Sequence, residues 1–159
     1  GDGPERAALA ARIREHGLDE RVRLLGVLPH AELQRLYRDG AVDGAVLPSV
    51  DLGGGLHEGL SVALIEAMAY GIPAVSTRTG GQAELLDGGA GLLVPERDAG
   101  ALADALGGLL GSSDLRGRLG LTGRRRIEQE FDADVIAAEL VQRFSGKFRT
   151  VPAATVGAH

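Results

Sequence analysis

The stretch Ser61-Val62-Ala63-Leu64-Ile65-Glu66-Ala67-Met68-Ala69-Tyr70-Gly71-Ile72-Pro73-Ala74-Val75-Ser76 decides the fold. A serine able to cap a helix precedes a run of good helix formers, and Gly71 stops it as a left-handed terminator would. Pro73 to Ser76 then reads as a strand, so the stretch is one helix-to-strand unit. Helices and strands alternate on both sides of it, with no internal repeat. Upstream, Glu5 to His16 carries Leu9 and Ile13 at helical spacing and closes at Gly17. Val22-Arg23-Leu24-Leu25 reads as a short strand, and Pro29-His30 opens a helix with Leu33, Leu36 and Tyr37 on one face and Gly40 at its end. Gly44-Ala45-Val46-Leu47 is an unbroken apolar run that predicts a buried strand. Downstream, a turn at Gly80-Gly81 leads to a short helix over Gln82 to Leu86 and a strand at Gly91 to Val94.

Strands alternating with helices over short links predict an α/β fold with a Rossmann-like parallel sheet. Beyond Val94 three helical segments follow in succession, Ala99 to Leu110, Leu115 to Glu130 and Ala133 to Phe148, which predicts a helical C-terminal segment. Residues 1–148 are expected to form one domain. Residues 149–159 lack periodicity and capping signals and are expected to be a flexible tail.

Composition narrows the function. The chain has 159 residues, a hydrophobic fraction of 44% and a net charge of −5, with no apolar run near the ~20 residues a membrane span needs. The acidic balance, with three Phe and two Tyr, argues against nucleic-acid binding, which calls for a basic face and stacking platforms. Cysteine is absent, which removes disulfides and thiolate metal sites and is compatible with a cytoplasmic protein. His16, His30, His57 and His159 are scattered, without the spacing of a metal site. Arg124-Arg125-Arg126, followed by Glu128 and Glu130, reads as a solvated helical face.

Candidate chemistry sits where the long glycine-rich loop from Pro48 to Gly59 meets the helix at Ser61. Ligands of open α/β sheets lie beyond the carboxyl ends of the strands, where helix N-termini attract anions. Glu66 is flanked on every helical face by apolar residues, which predicts a helix buried all round and a carboxylate needing donors. Arg78 is one candidate partner. A sugar diol is another, since two carboxylate oxygens can accept from adjacent hydroxyls. Glu58 stands just outside the same helix, beside Gly59; it is either a solvated first-turn acid or an acceptor for sugar hydroxyls.

Together Glu58 and Glu66 form a Glu-x7-Glu pattern, continued by Ala67 to Thr77. This resembles the donor-binding signature of the retaining glycosyltransferases of GT-B architecture, glycosyltransferase family 4 type. Four more blocks keep that family's order: Leu24-Leu25-Gly26-Val27-Leu28-Pro29-His30, Leu47-Pro48-Ser49, Gly80-Gly81-Gln82-Ala83-Glu84-Leu85 and Gly91-Leu92-Leu93-Val94-Pro95. The loop from Val50 to His57 and the run Ser76-Thr77-Arg78 are similar to the branch that builds exopolysaccharides such as colanic acid.

The resemblance implies transfer of a sugar from a nucleoside diphosphate sugar to an acceptor hydroxyl, with retention and without a metal or other cofactor. It implies that Glu58 contacts the transferred sugar as the catalytic-site carboxylate. Glu66 would bind the ribose hydroxyls, the amides of Gly59, Leu60 and Ser61 would face the sugar and diphosphate, and Leu28 and His30 would edge the base. Many members carry an aromatic and a glycine where this chain has Leu60 and Ser61. The family's donor domain opens with a strand, a glycine turn and a paired Arg and Lys that grip the diphosphate. The only lysine here is Lys147, so the expectation is a C-terminal donor-domain fragment truncated at its N-terminus, with an N-terminal domain missing. The implied acceptor is a glycan or a lipid-linked glycan, which would bring the missing domain to the inner face of the membrane as a peripheral partner. Such a fragment is expected to be poorly stable and inactive by itself. A binding module that stands alone or meets its other half on a second subunit is the alternative, and the nucleotide-sugar 2-epimerases share the architecture.

Overall fold

In the computed structural model, residues 1–51, 53 and 59–145 are described. The expected tail at Thr150 to His159 lies outside them, as does the end of the last expected helix at Phe148. The chain divides into two compact units, Gly1–Val42 and Asp43–His159.

The first unit contains helices α1 (Arg6–Glu15) and α2 (His30–Arg38). Each ends where a glycine was expected to stop it. Gly17 and Gly40 adopt φ of 62° and 67°, and the next amides, Leu18 and Ala41, reach back to the carbonyls of Ile13 and Leu36. That closure satisfies carbonyls a helix end leaves bare. The expected strand at Val22–Leu25 is corrected: the segment is chain without strand pairing. A strand exists only through a ladder with a neighbour, and this unit offers two helices and loops. Val22, Leu25 and Val27 are exposed, and no residue of the unit is buried.

The second unit holds a parallel sheet in the order β1-β2-β3, with β1 at Ala45–Leu47, β2 at Ala74–Thr77 and β3 at Gly91–Val94. Ala45 pairs with Ala74, and Ala74 with Gly91, which sets the register. Between the strands lie α3 (Val62–Ala69) and α4 (Gln82–Leu85); α5 (Ala99–Gly111), α6 (Ser113–Arg126), a π turn (Ile127–Phe131) and α7 (Ala133–Ser145) follow. Central β2 is buried throughout. Full burial was expected of the first strand too, but β1 is an edge strand and Val46 is 41% exposed.

Because successive strand residues face opposite sides, β2 feeds two cores. Ala74 packs with Leu64, Met68, Leu85, Leu86, Ala90 and Ile127 on one face. On the other, Val75 and Val94 meet Leu109 and Leu119 from α5 and α6. Helix α6 approaches so closely that a Cβ at Gly120 would sit 2.1 Å from the Gly71 carbonyl oxygen. At Gly123 it would lie 2.9 Å from that of Ala90, so hydrogen is the side chain both places accept.

Candidate functional site

The carboxyl ends of the three strands and the loops that leave them define the candidate site. The loop after β1 is pinned at its start by its neighbours. The Ser76 hydroxyl donates to the Leu47 carbonyl at 2.8 Å, and the Thr77 hydroxyl donates to that of Ser49. The Asp51 amide donates to Glu96 Oε2 at 2.8 Å, and Arg97 Nη2 donates to the Asp51 carbonyl at 3.3 Å. Arg97 is held at φ 57°, a left-handed conformation uncommon for a residue with a side chain. Pro48, Val50, Thr77, Pro95, Arg97 and Leu102 are among the residues lining a cavity of about 210 Å³ beside this loop. Spacing alone does not reveal these struts, because nothing in the residue pattern links Asp51 to charges 45 and 46 positions away.

The loop ends at α3. Ser61 caps the helix as expected: its Oγ accepts from the Leu64 amide at 3.4 Å, and the residue is buried. Just before it, Gln82 Nε2 donates to the Gly59 carbonyl at 3.2 Å. The turn at Gly80-Gly81 lies against the same stretch, close enough that a Cβ at Gly81 would come within 3.1 Å of Leu60 Cδ2. Thus the fold brings Gly59, Leu60 and Ser61 together with the β2–α4 turn, two blocks that the sequence keeps some twenty residues apart.

Glu66 stands one turn into α3, and here the sequence expectation is corrected. The helix is not buried all round: Leu64, Ala67 and Met68 face the core, while Val62 is 67% exposed, Ala63 is open and Tyr70 is 37% exposed. Residues 62, 66 and 70 share one helical face at four-residue spacing, so Glu66 projects from that open face half-buried. Methyl and methylene groups on an open face gave the same apolar reading as core residues, which is why the pattern alone misassigned it. Arg78, the candidate partner, follows β2 with an exposed side chain and an amide that donates to the Val94 carbonyl at 2.9 Å.

Glu58, the expected catalytic carboxylate, and His57 lie outside the described residues. Leu28 and His30 belong to the first unit: Leu28 is half-buried, and His30 is the exposed first residue of α2. Leu28 joins Arg23, Leu24, Gly26, Val27 and Leu33 in lining an open cavity of about 550 Å³. Among the described residues no cluster of His, Asp or Glu could hold a metal ion.

The Arg124–Arg126 run is only partly a solvated face. Arg124 pairs with Glu128 in solvent, but the Arg126 side chain is 18% exposed. It donates to the Glu84 carbonyl at 2.8 Å, pairs with Glu130 and lies over the Phe131 ring. Arg126 therefore locks α6 to the end of α4.

Known proteins match this arrangement. The family model of group 1 glycosyl transferases covers residues 1–112. The putative colanic acid biosynthesis glycosyltransferase WcaL of Escherichia coli (strain K12) is 38% identical over 142 residues, 88% of this chain and 34% of its own length. A GDP-mannose-dependent alpha-(1-6)-phosphatidylinositol monomannoside mannosyltransferase of Mycolicibacterium smegmatis is 31% identical over 92% of this chain and 38% of its own. Among solved structures, sucrose-phosphate synthase of Thermosynechococcus elongatus superposes with a TM-score of 0.75 at 32% identity, over 92% of this chain and 35% of that one. The chain thus spans about a third of the length of these relatives. Its sheet and its helical C-terminal segment match Rossmann-like GT-B structures, and the chain belongs to the group 1 glycosyl transferase family.

Proposed function

We propose that this chain is the nucleotide-sugar-binding part of a longer, retaining glycosyltransferase that builds an exopolysaccharide or a related glycan. The observation that carries the reading is the juxtaposition at α3. A capped helix N-terminus opens at the carboxyl end of the sheet, and Glu66 projects from an open face one turn later. A helix N-terminus favours an anion such as a diphosphate, and a carboxylate favours a diol such as ribose. One ligand class, a nucleoside diphosphate sugar, carries both groups. The mannosyltransferase relative, named for its dependence on GDP-mannose, supports the same class.

In this reading Glu66 accepts from the ribose hydroxyls, and the amides of Gly59, Leu60 and Ser61 face the diphosphate. Glu58 contacts the transferred sugar. The acceptor oxygen forms a bond to the anomeric carbon as the bond to the diphosphate oxygen breaks, and the acceptor proton leaves with the diphosphate. Catalysis rests on positioning and on charge stabilisation of the leaving group, with no metal or other cofactor. The acceptor, a glycan or a lipid-linked glycan, is held by a preceding domain, which also supplies cations for the diphosphate and any contact with the cytoplasmic membrane surface. The segment alone then binds weakly, self-associates and does not turn over.

The test is to express the complete open reading frame that carries this segment and assay transfer from UDP-glucose, GDP-mannose and ADP-glucose to glycan acceptors. The anomeric configuration of the product is read by NMR. Product with the donor's configuration is expected; an inverted anomer, or no transfer from any nucleotide sugar, contradicts the reading.

A further inference from the structure

We propose that Gln82 is a positioning residue for the donor loop: its carboxamide sets the orientation of the Gly59–Leu60 peptide and so aims the Leu60 amide. The proposal rests on the donor-site reading above and adds to it a residue outside the Glu-x7-Glu stretch.

Gln82 is completely buried, the only long polar side chain in the core of the second unit among the described residues. Its Nε2 donates to the Gly59 carbonyl at 3.2 Å, while its Oε1 is buried without a hydrogen-bond partner. The acceptor is a carbonyl, so nitrogen is the carboxamide atom that must face it. A buried carboxamide with one end unmet costs stability relative to an apolar side chain of similar volume. Packing therefore does not account for glutamine here, whereas the bond to Gly59 does.

That bond controls a single peptide plane. In a planar trans peptide the carbonyl and the following N–H point in opposite directions, and the chain has no cis bond. Turning the Gly59 carbonyl toward Gln82 turns the Leu60 N–H away from it. The plane is held from a second side by the Gly80-Gly81 turn, where a Cβ at Gly81 would stand 3.2 Å from Leu60 Cγ and 3.3 Å from the Leu60 nitrogen. Gln82 itself is fixed by its amide, which donates to the Thr79 carbonyl at 3.0 Å. Glycine before the capped helix leaves this peptide free to rotate, and Gln82 removes that freedom before a ligand arrives.

The experiment compares the complete polypeptide with its Gln82→Leu and Gln82→Glu variants. Calorimetry with UDP-glucose, GDP-mannose and ADP-glucose, and with uridine, guanosine and adenosine, separates diphosphate binding from nucleoside binding. Gln82→Leu removes the donor and the orphaned oxygen together, so its melting temperature is expected to equal or exceed that of the parent. Its affinity for the nucleotide sugar is expected to fall about tenfold, the worth of one well-placed hydrogen bond to a charged group, with nucleoside affinity unchanged. Gln82→Glu, which sets a carboxylate against the Gly59 carbonyl, is expected to lose more. Equal nucleotide-sugar affinity in the parent and in either folded variant overturns the role of Gln82 and leaves the donor site standing. A parent that binds none of the six compounds overturns the donor site and this inference with it. Should neither variant fold, hydrogen exchange at the Leu60 amide of the parent decides: slowing by the nucleotide sugar but not by the nucleoside supports the proposal, and equal exchange overturns it.

Discussion

The two units of the chain start from the same kind of sequence and end differently. Gly1–Val42 and the stretch from Asp43 to Val94 both alternate apolar runs with glycine-terminated helices, yet no residue of the first is buried, whereas the second encloses two cores. The difference lies in pairing. In the second unit each strand has a parallel neighbour, and β2 has one on either side. Val22–Leu25 has none, and Val22 and Leu25 stay exposed while Leu24 is only half-buried. Alternation marks where a strand can form, but a ladder and a covering helix make it one.

Substitutions can break or sharpen this contrast. The largest effect is expected in the second unit at Leu85, which is fully buried: Leu85→Ala should cost about 3 to 4 kcal/mol by opening a cavity beneath β2, read by denaturant unfolding. Gly120→Ala should cost about 2 to 3 kcal/mol, because its methyl group collides with the Gly71 carbonyl and forces α6 outward. A melting temperature unchanged by that substitution would mean that α6 does not lie where this structure has it. Ser61→Ala removes the cap of α3 and should cost about 1 kcal/mol, with Ser61→Asp restoring most of it. In the first unit Leu25→Ala should cost about 0.5 kcal/mol or less in the isolated segment, since Leu25 is 62% exposed. A cost of about 2 kcal/mol, the worth of burying a whole leucine side chain, would mean that Leu25 is covered.

Much of the second unit was legible because local signals and tertiary contacts agree there. Ser61, Gly71 and the turn at Gly80-Gly81 each bound an element within a residue or two of where it lies, since caps and left-handed glycines act locally. Burial was harder to read. Val62 and Val46 look like core residues, yet one lies on the open face of α3 and the other on an edge strand, and hydrophobicity alone does not reveal which side of an element is covered. Arg126 erred in the opposite direction. It resembles its two neighbours in sequence, but its position in the last turn of α6 brings it onto the carbonyl of Glu84.

For the candidate site, the resemblance supplied the order of the blocks, and the structure supplied what joins them. Gln82 to Gly59, and Glu96 and Arg97 to Asp51, are side chain-to-backbone bonds across more than twenty positions, which no spacing rule encodes. They converge on the two ends of the loop between β1 and α3.

The central claim, that this chain binds the ribose diphosphate of a nucleotide sugar through Glu66, is tested most directly by removing the diol. The complete polypeptide and its Glu66→Ala variant would each be titrated with a nucleoside diphosphate and with its 2′,3′-dideoxy counterpart. The parent should prefer the ribose form by about thirtyfold, corresponding to about 2 kcal/mol for hydrogen bonds to a carboxylate, and Glu66→Ala should abolish that preference. An equal preference in parent and variant would contradict the account.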